Sequence, residues 1–154
     1  MQRNNLLITA GCLSILAALL HIACIFGGPD WYRFFGAGEQ MAQMAADGDT
    51  YPTIATLVIA SILSVWGLYA FSGAGLIVKL PLLKTCLVLI TAVYLIRGVA
   101  GLILPFLTTS PAIHQNSMAF WMVSSTVCCV YGAYYFFGTK RLWHSECGNR
   151  QKEH

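Results

Sequence analysis

Residues Thr85–Leu107 read TCLVLITAVYLIRGVAGLILPFL, an apolar run broken by one charge, Arg97. An α-helix needs about 20 mainly apolar residues to cross a hydrocarbon layer of about 30 Å. This run is long enough, and it is one of four. The others are Leu6–Phe26, Thr53–Phe71 and Met118–Phe137. None of them alternates apolar and polar residues with period two, which excludes a β-barrel.

Composition agrees. Of 154 residues, 57% are hydrophobic and 10% charged, against about 25% charged in a soluble domain. Such a chain is neither a cytosolic globular protein nor intrinsically disordered. It lacks the glycine period of a collagen and the cysteine density of a secreted mini-protein. The net charge is +3, and the basic residues form no stripe with interleaved aromatics, so nucleic acid is not a partner. The reading is a single all-α integral membrane domain over residues 1–154, a four-transmembrane-helix bundle.

The first run has a signal-peptide flavour, with Arg3 ahead of it and Cys24 near its end. It is nevertheless long enough to span. His21 also occupies the position, three before Cys24, where a lipoprotein signal wants an aliphatic residue, so a retained helix is expected. Orientation follows from lysine and arginine in the short loops. Arg3, then Lys79 and Lys84, then Lys140, Arg141, Arg150 and Lys152 fall on one side, whereas the first connection holds only Arg33 and the third holds none. The basic side is cytoplasmic. Both termini are therefore expected inside a bacterial inner membrane, with the first and third connections outside.

The first connection, 27–52, carries Asp30, Glu39, Asp47 and Asp49. Trp31, Tyr32, Phe34 and Phe35 suggest an interfacial anchor. Gly38–Ala46 is expected to form a short helix lying on the outer leaflet, or a lid over a cavity. Pro81 suits the start of the third span, since a first-turn residue needs no N–H donor. The third connection turns around Pro111. The polar tail, 138–154, is expected to be a mobile end with Trp143 at the headgroups.

Small residues mark where helices touch in lipid. At 100° per residue they gather into Ala10, Ser14, Ala17, Ala18, His21 and Cys24 on the first helix, and Ala60, Ser64 and Gly67 on the second. The third offers Arg97, Ala100 and Gly101, and the fourth Ser125, Cys128, Cys129 and Gly132. Such stripes fit a monomeric bundle most simply, although a stripe can equally serve a dimer.

Arg97 is the most informative position. A charge near the middle of a spanning helix costs roughly 2.5–3.5 kcal/mol on insertion scales, so it is buried against partners or faces water. No Asp or Glu lies in any of the four runs. Its candidate partners are backbone carbonyls, hydroxyls such as Ser124, Ser125 or Thr126, a carboxylate dipping in from the first connection, where Glu39 lies just beyond the membrane, or an anionic ligand. His21 and Arg97 fall in the same outer half, and Tyr94 lies one turn from Arg97 on nearly the same face. The candidate ligand-binding set is Arg97, His21, Tyr94, Ser124, Ser125 and Glu39. Against it stands a purely structural Arg97–Glu39 pair, or an Arg97 reaching outward, with His21 as a satisfied core histidine. Tyr134 and Tyr135, beside Phe136 and Phe137, read as an aromatic belt.

Catalytic and metal motifs are not visible. His21 has no second ligand at i+3 or i+4. Neither H-E-x-x-H nor G-x-S-x-G occurs, and no C-x-x-C supports thiol redox chemistry. The intramembrane cysteines read as small packing residues. No cofactor is implied.

The stretches Trp31–Glu39 (WYRFFGAGE), Tyr69–Gly75 (YAFSGAG) and Leu80–Leu83 resemble a group of small uncharacterised bacterial inner-membrane proteins with four helices. That resemblance implies a multi-pass inner-membrane location and no particular reaction. Three classes of function follow. The first is an accessory protein that binds an anionic lipid, a quinone-like ligand or a membrane-protein partner in an outer-half pocket. The second is a homo-oligomeric transporter or channel with an anion pathway at Arg97. The third, an enzyme on lipid or thiol substrates, is the least supported, because no acid, base or nucleophile set is present.

Overall fold

The computed structural model describes residues 3–108 and 118–150, with side chains through His144. It is all-α, with five helices among the described residues: α1 (Asn5–Phe34), α2 (Glu39–Ala46), α3 (Tyr51–Gly73), α4 (Leu83–Leu107) and α5 (Met118–Arg150). α1, α3, α4 and α5 are long and apolar enough to cross a membrane. The turn expected around Pro111, with His114, lies outside the described residues.

Two pairs dominate the packing, α1 on α3 and α4 on α5, and α1 also meets α5. Small residues set these distances. A Cβ on Gly67 would lie 2.9 Å from the Ile15 side chain and 3.2 Å from the Gly11 carbonyl, so α1 and α3 approach backbone to side chain. Ala10, Ser14, Ala18 and Cys24 on α1, Ala60 and Gly67 on α3, and Ser125 and Gly132 on α5 are buried as their stripes predict; Ala17, His21, Ser64, Arg97 and Cys128 are half-buried. Outward faces carry exposed Leu, Ile, Val and Phe, the surface expected of helices whose solvent is lipid.

α1 runs past Phe26. It breaks at Gly28, whose φ of 68° and ψ of −156° lie outside helical space, and resumes through Pro29 to Phe34. Glycine tolerates the left-handed φ, and the residue before a proline is already steered away from the α region. The chain then turns through Gly36 and Gly38 into α2, which starts one residue later than its pattern predicts. Far from merely resting on a surface, α2 packs on α1 and α3 with Ala42 fully buried. Tyr32 corrects the expected anchor: it is 3% exposed, packs with Cys24 and Ala42, and its hydroxyl lies 3.3 Å from Thr56 Oγ1, to which it can donate because the Thr56 proton goes to the Pro52 carbonyl. Trp31, Phe34 and Phe35 stay exposed.

The far end is also more ordered than its polarity suggests. α5 does not stop at Gly138 but continues to Arg150. Asn4 Nδ2 donates to the Gly138 carbonyl at 2.7 Å, tying the beginning of α1 to α5. Pro81 is not the first residue of α4. The helix starts at Leu83, after Leu82 in the left-handed region at φ 53°. Arg3, Lys79, Lys84, Lys140 and Arg141 lie toward this basic end of the molecule, whereas Asp30, Glu39, Asp47 and Asp49 lie toward the opposite, α2 end.

Candidate functional site

Two polar sites sit one helical turn apart on α4. The first centres on Tyr94, which is 6% exposed. Its hydroxyl lies 3.2 Å from Ser14 Oγ, which in turn lies 2.9 Å from the Tyr135 hydroxyl. Tyr135 donates onward to the Trp66 carbonyl at 3.0 Å. A single direction satisfies every group: Tyr94 donates to Ser14, Ser14 to Tyr135, and Tyr135 to Trp66. Rings reinforce the chain. Tyr94 stacks on Tyr135 at 5.5 Å and meets Trp66 and Tyr131 edge-on at 5.0 and 5.5 Å. This corrects the aromatic-belt reading of Tyr135, which is fully buried and touches all three other long helices through Ser14, Trp66 and Tyr94.

The second site holds Arg97. The rise of a helix puts it about 21 Å from the start of α4 and about 15 Å from its end. Its Nη2 donates to Ser124 Oγ at 3.4 Å and its Nη1 to Ser125 Oγ at 3.5 Å. Both exceed the usual 2.7–3.2 Å of an N–H···O bond. The guanidinium carbon lies 5.1 Å from the centre of the Trp121 ring, a cation–π contact. No carboxylate pairs with it among the described residues. Gly101 makes the space: a Cβ there would occupy the positions of Ser125 Oγ and Arg97 Nη1. Gly98 does the same one turn earlier, where a Cβ would meet the Cys129 backbone nitrogen at 3.0 Å.

The other candidates are placed elsewhere. Glu39 does not reach Arg97. It binds Arg33, with Nε donating to Oε2 at 2.8 Å and Nη2 to Oε1 at 2.9 Å, a forked pair that Asp30 joins through Nη1 at 3.0 Å. Those hydrogen bonds hold the Glu39 carboxyl below its ordinary range, against a smaller opposing effect of desolvation. The structural Arg97–Glu39 pair is thereby overturned, because Arg33 is nearer in sequence and meets Glu39 where both side chains stay about half exposed and each charge loses little solvent. His21 Nδ1 lies 2.8 Å from the Ala17 carbonyl of its own helix, and no contact joins it to Arg97 among the described residues. The structure thus brings together Arg97, Ser124 and Ser125, puts Tyr94 in the neighbouring site, and leaves His21 and Glu39 outside both.

Sequence reasoning missed Trp121 and the role of Tyr135. Trp121 carries a legible signal, since an aromatic three to four residues before Ser124 and Ser125 shares their face. For metals, no cluster of three or more His, Cys, Asp or Glu is found among the described residues. The chemistry on offer at Arg97 is recognition: a permanent charge with forked donors, two hydroxyls and an aromatic wall. No protein-family model matches this chain, and no curated protein and no solved structure matches it either.

Proposed function

We propose that the chain is a multi-pass inner-membrane protein, both termini cytoplasmic, that binds a small anionic or polar ligand at Arg97 between α4 and α5. The observation that carries this reading is the thin pairing of Arg97. A guanidinium has five N–H donors, and here two long contacts to hydroxyls and one ring face are all that answer them among the described residues. A carboxylate, phosphate or quinone-like oxygen at this point would complete the set. Ser124 and Ser125 would then accept from Arg97 and donate to the ligand. The orientation is supported by the separation of basic and acidic ends.

The test is native mass spectrometry of protein extracted gently from its own membrane, with identification of co-purifying small molecules, beside Arg97→Leu. The reading predicts one defined compound retained by the wild type and lost from the variant, with the variant's thermal stability equal or higher, because an incompletely paired charge has been removed. An identical ligand profile in both proteins would overturn it.

A further inference from the structure

We propose that the groove between α4 and α5 at the basic end binds an anionic phospholipid, its acyl chain along the apolar wall and its phosphate against Lys140 and His144. The groove has a volume of about 420 Å³, and Leu95, Phe136 and Trp143 help form its apolar wall. At one end it presents Thr139, Lys140 and His144.

Thr139 supplies the decisive observation. Several other hydroxyls in these helices fold back on the carbonyl four residues earlier, as Thr56 does to Pro52 at 2.7 Å, Ser64 to Ala60 at 2.8 Å and Thr91 to Leu87 at 2.7 Å. Thr139 makes no such bond. It is 5% exposed, lines the groove, and its Oγ1 has no hydrogen-bond partner among the described residues. A buried hydroxyl without a partner is costly, and this Oγ1 is closed to solvent, so a turn of the Thr139 side chain toward an acceptor in the groove gains what the protein leaves unmade. An ester or phosphate oxygen is such an acceptor.

Charge complements this. Lys84 lies over the Trp143 ring at 5.8 Å, so a third base stands beside Lys140 and His144. Every carboxylate whose side chain is described belongs to the other end of the molecule. A free anion would leave the apolar wall unused, and an uncharged lipid would leave the bases unused. A phospholipid with an anionic headgroup uses both. The site is separate from Arg97, which lies about 20 Å along α4 from Lys84, and the inference does not rest on the ligand proposed there.

The full chain in detergent is titrated with dioleoylphosphatidylglycerol or dioleoylphosphatidylcholine, reading thermal midpoint and retained lipid by native mass spectrometry. Phosphatidylglycerol should raise the midpoint of the wild type and phosphatidylcholine should not. Thr139→Val should start at an equal or higher lipid-free midpoint and bind phosphatidylglycerol about tenfold more weakly, the value of one hydrogen bond to a charged group. Lys140→Gln/His144→Gln should lose the preference between the two lipids, and it decides alone if Thr139→Val does not fold. Arg97→Leu should keep it. Equal response of the wild type to both lipids, or an undiminished preference in the double variant, overturns the proposal. A preference lost in Arg97→Leu and kept in the double variant overturns it too and assigns the lipid to Arg97.

Discussion

Tyr94 and Arg97 stand one turn apart on the same helix, and their surroundings obey opposite rules. Around Tyr94 the hydroxyls of Ser14, Tyr94 and Tyr135 and the Trp66 carbonyl satisfy one another in a closed chain across four helices. Around Arg97 the donors outnumber their acceptors among the described residues, and the contacts to Ser124 and Ser125 are long, 3.4 and 3.5 Å. In a hydrocarbon environment an unsatisfied polar group is costly. A closed network therefore serves the fold, whereas an open one leaves donors that the ligand proposed at Arg97 would complete. Among the described residues, three aromatic rings surround Tyr94 while one, Trp121, faces Arg97.

The comparison breaks most visibly at Tyr135. Tyr135→Ala should remove a fully buried ring and the central link of the chain, at a cost of about 3–5 kcal/mol, read as a large drop in detergent thermal midpoint. Tyr135→Phe keeps the ring but removes the donor to the Trp66 carbonyl and the acceptor of the Ser14 hydroxyl. It should cost about 1–2 kcal/mol, the scale of an interhelical hydrogen bond in a membrane. If Tyr135→Phe costs nothing, the chain of hydroxyls does not hold the helices and the contrast with Arg97 fails.

The seam between α4 and α5 offers an intermediate effect. Gly98→Val would drive a branched side chain toward the Cys129 Sγ and backbone nitrogen and the Ser125 carbonyl. Overpacking of this kind costs about 1–3 kcal/mol, and moving α5 also moves Ser124 and Ser125 away from Arg97. Stability and ligand retention should therefore fall together. A variant that lost only stability would show that the Arg97 ligand does not need the hydroxyls of α5.

Arg97→Lys sharpens the contrast without opening the seam. Lysine keeps the charge and loses the planar fork and the stacking on Trp121, so it is not a conservative change at such a site. The expected result is a thermal midpoint close to wild type and retention of the co-purifying compound reduced about tenfold, the scale of one charge-assisted bond. Wild-type retention would mean that only charge matters.

Much of the fold is legible in the sequence because the bilayer leaves so few options: four apolar runs and their small-residue stripes are enough to find the long helices and their buried faces. Arg97 with Ser124 and Ser125 is legible for the same reason, since depth and face coincide. Tyr135 and Tyr32 are not. Each sits among neighbours that are truly exposed, Phe136 and Phe137 in one case and Trp31, Phe34 and Phe35 in the other, and composition cannot tell which member of an aromatic cluster turns inward. Glu39 was ambiguous because the continuation of α1 past Gly28, which delivers Arg33 to it, depends on a glycine break rather than on periodicity.

The smallest effect lies at the other arginine. Arg33 is exposed and doubly paired, so it provides the reference for what a satisfied guanidinium does when water is present. Glu39 has its carboxyl pKa lowered from an ordinary 4.5, first by the Arg33 hydrogen bonds. A depressed carboxylate adds stability above its unfolded value and loses that contribution as pH falls through the folded value. Arg33 stays charged throughout, so the loss begins below about pH 4.5 and none is expected between neutrality and that point. A nitroxide attached at exposed position 40 reads the attachment of α2 to α1. Its mobility should rise in acid for the wild type, and should be raised already at neutral pH and nearly flat in Glu39→Gln. Exposed pairs often contribute little, and a line shape unchanged down to about pH 3 would show that Ala42 and Tyr32 hold α2 without the ion pair. Arg33 would then be as dispensable to the fold as Arg97, and pairing alone would no longer separate the structural arginine from the ligand-seeking one.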